Sequence, residues 1–293
     1  MDGIIVVDKP AGWTSHDVVA KLRGVLGEKR IGHGGTLDPM ATGVLPVFVG
    51  RATLACQFCE SAEKEYVAGL LPGIVTDTQD TTGATLSASG IEVTTQELEA
   101  AIPRFIGRIS QIPPMYSAIK RDGKKLYELA RRGIEVERPA RDIFIYAIEP
   151  LGREGSAFLL RIACSKGTYI RTLCHDIGQA LGCGAAMCSL RRTKAGSFDI
   201  GMSHSLEEIQ AAAGAGAMAG ILLGTDRIFA EYPPVTLGGE DTAKCKNGAP
   251  CVVDGIPGGT YRFYGPNGEF LLLGEVSGAR GGRLEVIKRF FVR

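Results

Sequence analysis

One carboxylate in a glycine-rich loop is the side chain of this sequence best suited to chemistry. Residues 32–50 read Gly-His-Gly-Gly-Thr-Leu-Asp-Pro-Met-Ala-Thr-Gly-Val-Leu-Pro-Val-Phe-Val-Gly, so that Asp38 stands before a proline and an apolar run follows. Pro39 biases Asp38 away from helical backbone angles, and the preceding glycines let other backbone approach closely. Taken alone, an Asp-Pro pair is most often a turn whose carboxylate bonds to its own backbone. The spacing by itself therefore favours a turn, with a reacting carboxylate as the alternative.

Motifs for several other chemistries are missing from the sequence. It contains no GxxxxGK[ST], no GxSxG and no HExxH among its four histidines, and it lacks a convincing GxGxxG between a strand and a helix. Cys56 and Cys59 form a single CxxC motif, and the sequence contains no second one. We therefore expect buried free thiols there rather than zinc or redox chemistry. The sequence therefore gives poor support to an NTPase, an α/β-hydrolase or a metal hydrolase.

The charge of the chain is balanced overall and clustered locally. Lys and Arg number 33 against 32 Asp and Glu, which gives a net charge of +1. Residues 120–141 nevertheless hold eight basic residues against four acidic ones, and further basic stretches lie at 191–194 and 280–293. Such clusters fit a polyanion-binding face, although charge runs are more often simply solvated surface.

Nothing in the sequence predicts export or membrane insertion. The N-terminus opens with an apolar, strand-like run and lacks a basic leader region. No apolar stretch approaches the roughly 20 residues that a membrane-spanning helix needs. We therefore expect a cytoplasmic protein with no membrane association.

The order of the predicted elements indicates an α+β fold. Strands never alternate regularly with helices, which argues against a doubly wound sheet and favours a mixed, largely antiparallel sheet flanked by helices. Pro46 suggests that its strand lies at an edge or carries a bulge. Strands are predicted at residues 3–7, 44–49, 66–71, 141–148 and 157–164, and helices at 15–27, 50–62, 94–105, 124–132, 168–181 and from 205.

The chain divides near residues 225–235, where Tyr-Pro-Pro reads as a linker. We predict a domain over 1–228, with a basic insertion near 108–141, and a small β-rich domain over 235–293. The smaller domain shows short strands between glycine turns and no convincing helix. At about 60 residues it is marginal alone, so it should pack on the larger domain. Its strands are predicted at 251–253, 260–264, 269–275 and 284–288.

Six further short blocks accompany the Asp38 loop, in a fixed order over residues 3–200. They are Asp8–Ser15, Lys64-x-Tyr66, Gly73–Asp80, Gln111–Lys120, Ser165–Arg171 and Leu190–Phe198. Together with Gly32–Leu45 they resemble the signature of bacterial tRNA pseudouridine synthases of the TruB type. Each block alone is weak, and seven in order are specific. The sequence departs from the family pattern at Pro72 and Arg121, away from the expected chemistry.

The resemblance implies a fold and a reaction. The fold would be that of pseudouridine synthases, and the reaction would isomerise a uridine in the T-loop of tRNA to pseudouridine. Such an enzyme must flip the base out of the folded RNA, break its N1–C1′ bond and join C5 to C1′. Nothing is oxidised and no group is gained, so neither a cofactor nor a metal is implied. The expected partner is the tRNA T-arm, with no obligatory protein partner.

The resemblance also implies roles for particular residues. Asp38 would be the catalytic carboxylate, and an ion pair with Arg171 would keep it ionised and aimed. The smaller domain would be an RNA-binding β-barrel of the PUA kind. Tyr66 would stack on the uracil, and Tyr169 and Leu190 would complete the pocket. His33 would pack against the flipped nucleotide. Lys9 and the basic insertion would hold the RNA backbone.

Two other functions stay open from the sequence. The same chemistry could act on ribosomal or other RNA, or the chain could be an RNA chaperone whose catalysis is incidental. Retention of both Asp38 and Arg171 argues against the chaperone, because binding alone needs no buried carboxylate near phosphate. The catalytic intermediate and the oligomeric state are not readable from the sequence.

Overall fold

The computed structural model of the chain describes residues 1–121 and 123–291, and Arg293 of the basic C-terminal stretch lies outside them. The strands are β1 Gly3–Lys9, β2 Ile31–His33, β3 Thr42–Val49, β4 Lys64–Pro72, β5 Ile74–Thr76, β6 Thr85–Ala88, β7 Gly107–Gln111, β8 Lys120–Arg121, β9 Lys124–Lys125, β10 Arg141–Glu154, β11 Ala157–Cys164, β12 Ala185–Ala195, β13 Phe198–Asp199, β14 Pro234–Thr236, β15 Val252–Asp254, β16 Gly259–Tyr264, β17 Phe270–Val276 and β18 Gly281–Arg289. The α-helices are α1 Ser15–Leu26, α2 Cys56–Ser61, α3 Thr95–Ala101, α4 Leu126–Ala130, α5 Ile170–Ala180, α6 Leu206–Gly214 and α7 Gly239–Asn247.

A mixed sheet of nine strands forms the larger part of the molecule. Its strand order is β1-β3-β12-β4-β11-β10-β7, with β2 paired to β3 and β13 to β12. Only β3 and β12 run parallel, and every other pairing in this sheet is antiparallel. The predicted fold class, a mixed and largely antiparallel α+β sheet, is confirmed.

The central strand β12 is the main element that the sequence did not reveal. It pairs with β4 over most of its length and with β3 at Arg191↔Thr42. Two register shifts interrupt its pairing with β4, between Met187 and Ser189 and again between Arg192 and Lys194. Each bulge inserts an extra residue and so breaks the period-two alternation by which strands are recognised.

Pro46 lies inside the sheet rather than at its edge. Its strand β3 pairs on one side with β1, at Val6↔Pro46. On the other side β12 contacts only the start of β3, and β2 pairs with residues 47–49. The Pro46 carbonyl accepts from the Gly34 amide at 2.9 Å, so its missing N–H faces the gap between these two partners. The prediction of an edge strand or a bulge at Pro46 was therefore wrong.

Helices are placed correctly where a local capping signal exists. Thr94 with Glu97 and Ser205 with Glu208 form capping boxes at the starts of α3 and α6, as predicted. At α1 the cap is Thr14 rather than Ser15. The helix predicted over 50–62 divides into a 3₁₀ segment at Gly50–Ala55 and α2. The basic helix predicted over 124–132 shortens to α4.

The C-terminal part forms a second sheet of five strands, in the order β14-β16-β17-β18-β15. Its strands overlap those predicted, but α7 contradicts the expectation that this region lacks a helix. The strongly polar Gly-Glu-Asp-Thr-Ala-Lys-Cys-Lys-Asn of α7 buries only Thr242 and Cys245, which leaves little apolar periodicity to recognise.

An aromatic cluster joins the two sheets. Phe229, in the 3₁₀ segment Thr225–Phe229, lies 5.0 Å from Phe58 of the larger part by ring centroids. The same ring lies 6.0 Å from Phe270 and 5.6 Å from Phe290 in the C-terminal part. Phe229 and Phe290 belong to one buried core with Ile4, Val44 and Phe48, and the partly buried Phe58 and Phe270 pack against it. The C-terminal part therefore packs on the larger part through a shared apolar core.

Within residues 1–121 and 123–291, no helix combines the length and the apolar character that crossing a membrane requires.

Candidate active site

The loop that carries Asp38 is fixed by hydrogen bonds from outside the loop and by one within it. The Ser15 hydroxyl at the start of α1 accepts from the Leu37 amide at 2.9 Å and donates to the Leu37 carbonyl at 3.3 Å. The Pro39 carbonyl accepts from the Gly12 amide at 2.8 Å, and the Asp38 carbonyl from the Ala41 amide at 3.0 Å. The glycine-rich loop is thus held on both sides of Asp38.

Lys9 binds this loop from the interior of the protein. Its ammonium group donates to the carbonyls of Pro10 at 2.9 Å, Trp13 at 2.6 Å and Pro39 at 3.2 Å. The residue is 0% exposed, and desolvation lowers its pKa to about 8, with Asp38 acting in the opposite direction. The expectation that Lys9 contacts the RNA backbone does not fit this burial, because all three of its donors are directed at the protein.

Arg192 binds the other end of the same loop. Its guanidinium is buried and donates to the carbonyls of Val44 at 2.7 Å, Gly35 at 3.1 Å and Thr36 at 3.4 Å. Its backbone approaches Gly43 so closely that a Cβ on Gly43 would lie 2.2 Å from the Arg192 carbonyl oxygen. Arg192 was counted among clustered surface cations, and the structure instead gives it a role in the interior.

Arg171, in the first turn of α5, brings the chemistry-bearing residues together. Its Nη2 lies 3.2 Å from a carboxylate oxygen of Asp38, which confirms the expected ion pair as a contact. The same nitrogen donates to the Tyr116 carbonyl at 2.7 Å, and Nη1 lies 3.8 Å from the carboxylate of Asp80. One buried guanidinium therefore joins three segments that are far apart in sequence.

Asp80 is the charged member of the site that residue-level reasoning missed. It is buried, and its Oδ1 accepts from the hydroxyls of Thr78 and Thr82 at 2.8 and 2.5 Å and from the Thr82 amide at 2.9 Å. The only signal was its membership of the Gly73–Asp80 block. The neighbouring threonines supply the partners that a buried carboxylate needs.

The pKa of Asp38 is raised above its ordinary value. Desolvation is the main cause, Arg171 opposes it, Asp80 raises the pKa further and Lys9 lowers it. Arg171 therefore offsets the cost of burying Asp38 only in part, where the sequence led us to expect that the ion pair would dominate. A desolvated carboxylate with a raised pKa is more basic than one in water, which suits a group that must react.

The predicted pocket residues lie on elements next to this site. Tyr66 on β4 is in register with Arg192, and Leu190 pairs with Ala68 on the neighbouring strand. Tyr66 and Leu190 are each 8% exposed and belong to the main core. Desolvation raises the pKa of Tyr66. Arg192 lowers it to a smaller extent, and Asp38 has a weaker raising effect.

Tyr169 immediately precedes α5 and is fixed by Gln111, a buried residue at the end of β7 that begins the block Gln111–Lys120 and had no individual role assigned from the sequence. The Gln111 amide accepts from the Tyr169 N–H at 2.9 Å and donates to its carbonyl at 3.1 Å. The Tyr169 ring centroid lies 6.0 Å from the Arg171 guanidinium. Strand β7 thereby positions the start of α5, from which Arg171 projects.

His33 is at the end of β2 and contacts His16 of α1. The two rings meet edge to face, with centroids 5.3 Å apart. Desolvation, assisted by His16 and Arg192, lowers the pKa of His33 to about 4, so its imidazole is neutral at physiological pH. A neutral ring is the form suited to packing against a nucleotide.

The cysteines are all free thiols. Burial raises the pKa of Cys56 to about 12 and that of Cys59 to about 11. Among the described residues, no group of three His, Cys, Asp or Glu side chains is arranged to hold a metal ion.

The basic stretches differ in exposure. Arg191 forms two hydrogen bonds to the Asp8 carboxylate, at 2.7 and 3.2 Å, and Arg192 is buried, so within residues 191–194 only Lys194 is an exposed cation. The insertion is different, because its cations reach solvent. Its exposed basic residues are Arg108, Lys120, Arg121, Lys124, Arg131, Arg132 and Arg141.

The mixed sheet, with the pair Asp38–Arg171 beside its central strands, agrees with the pseudouridine synthase fold that the resemblance implied. Residues 23–170 match the model of the TruB family pseudouridylate synthase N-terminal domain, and residues 171–229 that of the tRNA pseudouridylate synthase B C-terminal domain. The chain belongs to the TruB family of pseudouridylate synthases, which confirms the resemblance drawn from its motifs.

Individual relatives agree with this assignment. The chain is 43% identical to tRNA pseudouridine synthase B of Stutzerimonas stutzeri, covering 94% of this chain and 92% of that protein. It is likewise 43% identical to the protein of that name from Geobacter sulfurreducens, over 89% and 88% of the two chains. Among solved structures, a chain of a Cbf5-Nop10-Gar1 complex is similar with a TM-score of 0.76 and 30% identity, covering 99% of this chain and 85% of that one.

Proposed function

We propose that this pseudouridylate synthase acts on tRNA and isomerises a uridine of the T-loop. Both relatives described above are named as tRNA pseudouridine synthases and match nearly the whole chain. The exposed cations of the insertion supply the non-specific attraction to an RNA backbone that such a substrate requires. The observation that carries the proposal is the triad formed by the half-buried Asp38 with the buried Arg171 and Asp80.

Asp38 is the reacting carboxylate in this proposal. Its side chain is 35% exposed whereas that of Arg171 is 6% exposed, so a flipped nucleotide reaches the carboxylate and not the guanidinium. Attack on C1′ and stabilisation of a glycal-forming step both need a carboxylate that is ionised and poorly solvated. Because the uracil leaves from N1, turns and rejoins at C5, the C5 hydrogen is released to solvent and N1 gains a proton.

The residues around Asp38 have supporting roles. Tyr66 and Tyr169 offer aromatic faces for the extruded uracil, and Leu190 closes the apolar side of the pocket. His33 packs against the flipped nucleotide as a neutral ring. Lys9 acts through the loop and not on the RNA.

We also infer that the two parts of the chain have different functions. Residues 1–228 would form the catalytic domain, with the insertion near 108–141 gripping RNA. Residues 235–293 would form a small PUA-like RNA-binding domain. The supporting observations are its separate apolar core and its own five-stranded sheet.

Tritium release tests the proposal. A T-arm RNA labelled with [5-³H]uridine only at the T-loop position should release tritium with the wild-type chain and not with Asp38→Asn, while both proteins bind the RNA. Asp142→Asn serves as the matched control, because that carboxylate is exposed and pairs with Arg108 at the sheet rim. It should release tritium at the wild-type rate.

Three outcomes would overturn parts of the proposal. Release by Asp38→Asn at the wild-type rate would remove Asp38 from the chemistry. Release from other RNA but not from the T-arm would refute the substrate while leaving the class of enzyme intact. Strand annealing without release from any RNA would support the chaperone instead.

A further inference from the structure

Gln79 has an unusual backbone conformation beside the triad of Asp38, Arg171 and Asp80. Its φ is +65°, and among residues 1–121 and 123–291 it is the only non-glycine residue in the left-handed region. Residues other than glycine rarely occupy this region. Such a conformation persists only where the surrounding structure determines it strongly. The conformation therefore calls for an account of what holds Gln79 in place.

Backbone bonds fix Gln79 to its own loop and to the central strand. Its N–H donates to the Thr76 carbonyl at 3.3 Å, which closes a turn. Its carbonyl accepts from the Met187 amide of β12 at 3.0 Å, and the Thr81 amide donates back to the Met187 carbonyl at 3.0 Å. The loop between β5 and β6, residues 77–84, which we call the acidic loop, is thereby attached to the sheet on both sides of Asp80.

The side chain of Gln79 makes a third attachment, to α5. Its Oε1 accepts from the Thr172 hydroxyl at 2.6 Å, and Thr172 is 3% exposed. The next loop residue, Asp80, lies 3.8 Å from Arg171, the residue before Thr172. Two consecutive loop residues therefore contact two consecutive helix residues. The contact between Asp80 and Arg171 is an ion pair without a hydrogen bond, so the Gln79–Thr172 bond is the directional link between these elements.

We propose that Gln79 is a positioning residue for the isomerisation, holding the acidic loop against α5 so that Arg171 stays aimed at Asp38. The inference rests on the proposed function of this site. It makes Gln79 act through Thr172 and Arg171, with no contact to the reacting atoms. Displacement of a supporting group by ~1 Å can cost about 100-fold in rate, so the loss of one of several attachments should be smaller but measurable.

The test compares single-turnover tritium release from T-arm RNA with RNA affinity. Gln79→Gly removes the amide and keeps the left-handed backbone free of strain. Thr172→Val removes the hydroxyl at constant shape. Each should lower the single-turnover rate constant about tenfold and leave the Kd for RNA within about twofold, and the double variant should lose no more than either single one. Thr172→Ser keeps the hydroxyl and should restore most of the rate.

A distant pair of the same kind provides the control for general destabilisation. Thr94 donates to Glu97 at 2.8 Å in the exposed cap of α3. Thr94→Val should lower the Tm and not the rate. Should Gln79→Gly fold poorly, Gln79→Asn serves instead, because asparagine tolerates positive φ and its amide is one methylene shorter.

The outcomes separate this inference from the proposed function. Unchanged rates in the Gln79 and Thr172 variants, or additive losses in the double variant, would overturn the positioning role while wild-type release continues. A weakened Kd at unchanged rate would show that Gln79 contacts RNA directly, which also overturns it. A wild-type chain that releases no tritium would overturn the proposed function, and the inference with it.

Discussion

Replacing Lys9 by methionine tests whether a buried cation supports the catalytic loop. The ammonium group lies at 0% exposure and donates to three carbonyls, one of them that of Pro39 next to Asp38. Methionine retains an unbranched stem of similar length and removes the charge. The variant therefore separates the energy of the buried charge from that of the packing around it.

The magnitude follows from the pKa of Lys9. Burial lowers it from 10.5 to about 8, and one pKa unit corresponds to about 1.4 kcal/mol. Between pH 8 and 10.5 the unfolded chain holds a proton on Lys9 that the folded chain has lost, so rising pH favours the folded state. The free energy of unfolding of the wild type should therefore gain about 3 kcal/mol over this window relative to Lys9→Met.

Urea unfolding at pH 7 and pH 10.5, with reductant present, measures the difference. The single tryptophan is Trp13, whose carbonyl accepts from Lys9, so its fluorescence reports on this region. Other groups titrate in the same window, but their contributions cancel in the comparison of the two proteins. A difference between the two proteins that changes by less than about 1 kcal/mol from pH 7 to pH 10.5 would refute the reasoning.

The same variant decides between the two roles considered for Lys9. A lysine on an RNA phosphate would reduce the slope of log K against log salt by about 1 when it is removed. A lysine beneath the loop leaves that slope unchanged and lowers the single-turnover rate. We expect the second result.

Two further predictions concern the triad and the joint between the sheets. Asp80→Asn removes a charge that raises the pKa of Asp38, so the acidic limb of the pH–rate profile for tritium release should move to lower pH; a limb that stays or rises would contradict this. Phe229→Ala should lower the free energy of unfolding by about 3–5 kcal/mol, measured in urea, because its buried ring joins both parts of the molecule. The exposed Phe144→Ala should cost far less, and equal losses would show that the Phe229 cluster contributes no special stability.

The parts of the fold that could be predicted are those with short-range signals. The capping boxes of α3 and α6 and the antiparallel pair β10 and β11 depend on contacts that a few residues encode. Strand β12 was missed because its bulges and long-range partners leave no local pattern. The same holds for α7, whose polar surface hides its few buried positions.

The site was predictable in a different way. The contact of Asp38 with Arg171 spans 133 residues, and no periodicity links them. Only the resemblance of seven ordered blocks related the two. Lys9 and Arg192 show the converse difficulty, because the sequence led us to expect basic residues at the surface and both side chains are buried. A cation whose hydrogen bonds go to backbone carbonyls needs no acidic partner, so no other residue in the sequence indicates that it is buried.

The buried cations explain how a glycine-rich loop can hold a reacting group. Glycines permit the close backbone approach that the loop needs, as at Gly43 against Arg192, but they also leave the chain free to move. Lys9 and Arg192 remove that freedom by binding loop carbonyls on both sides of Asp38. The burial that fixes the loop also desolvates Asp38, and this raises its pKa although Arg171 and Lys9 act in the opposite direction. Rigidity and a basic carboxylate therefore arise from the same arrangement, so a variant that loosens the loop should change both.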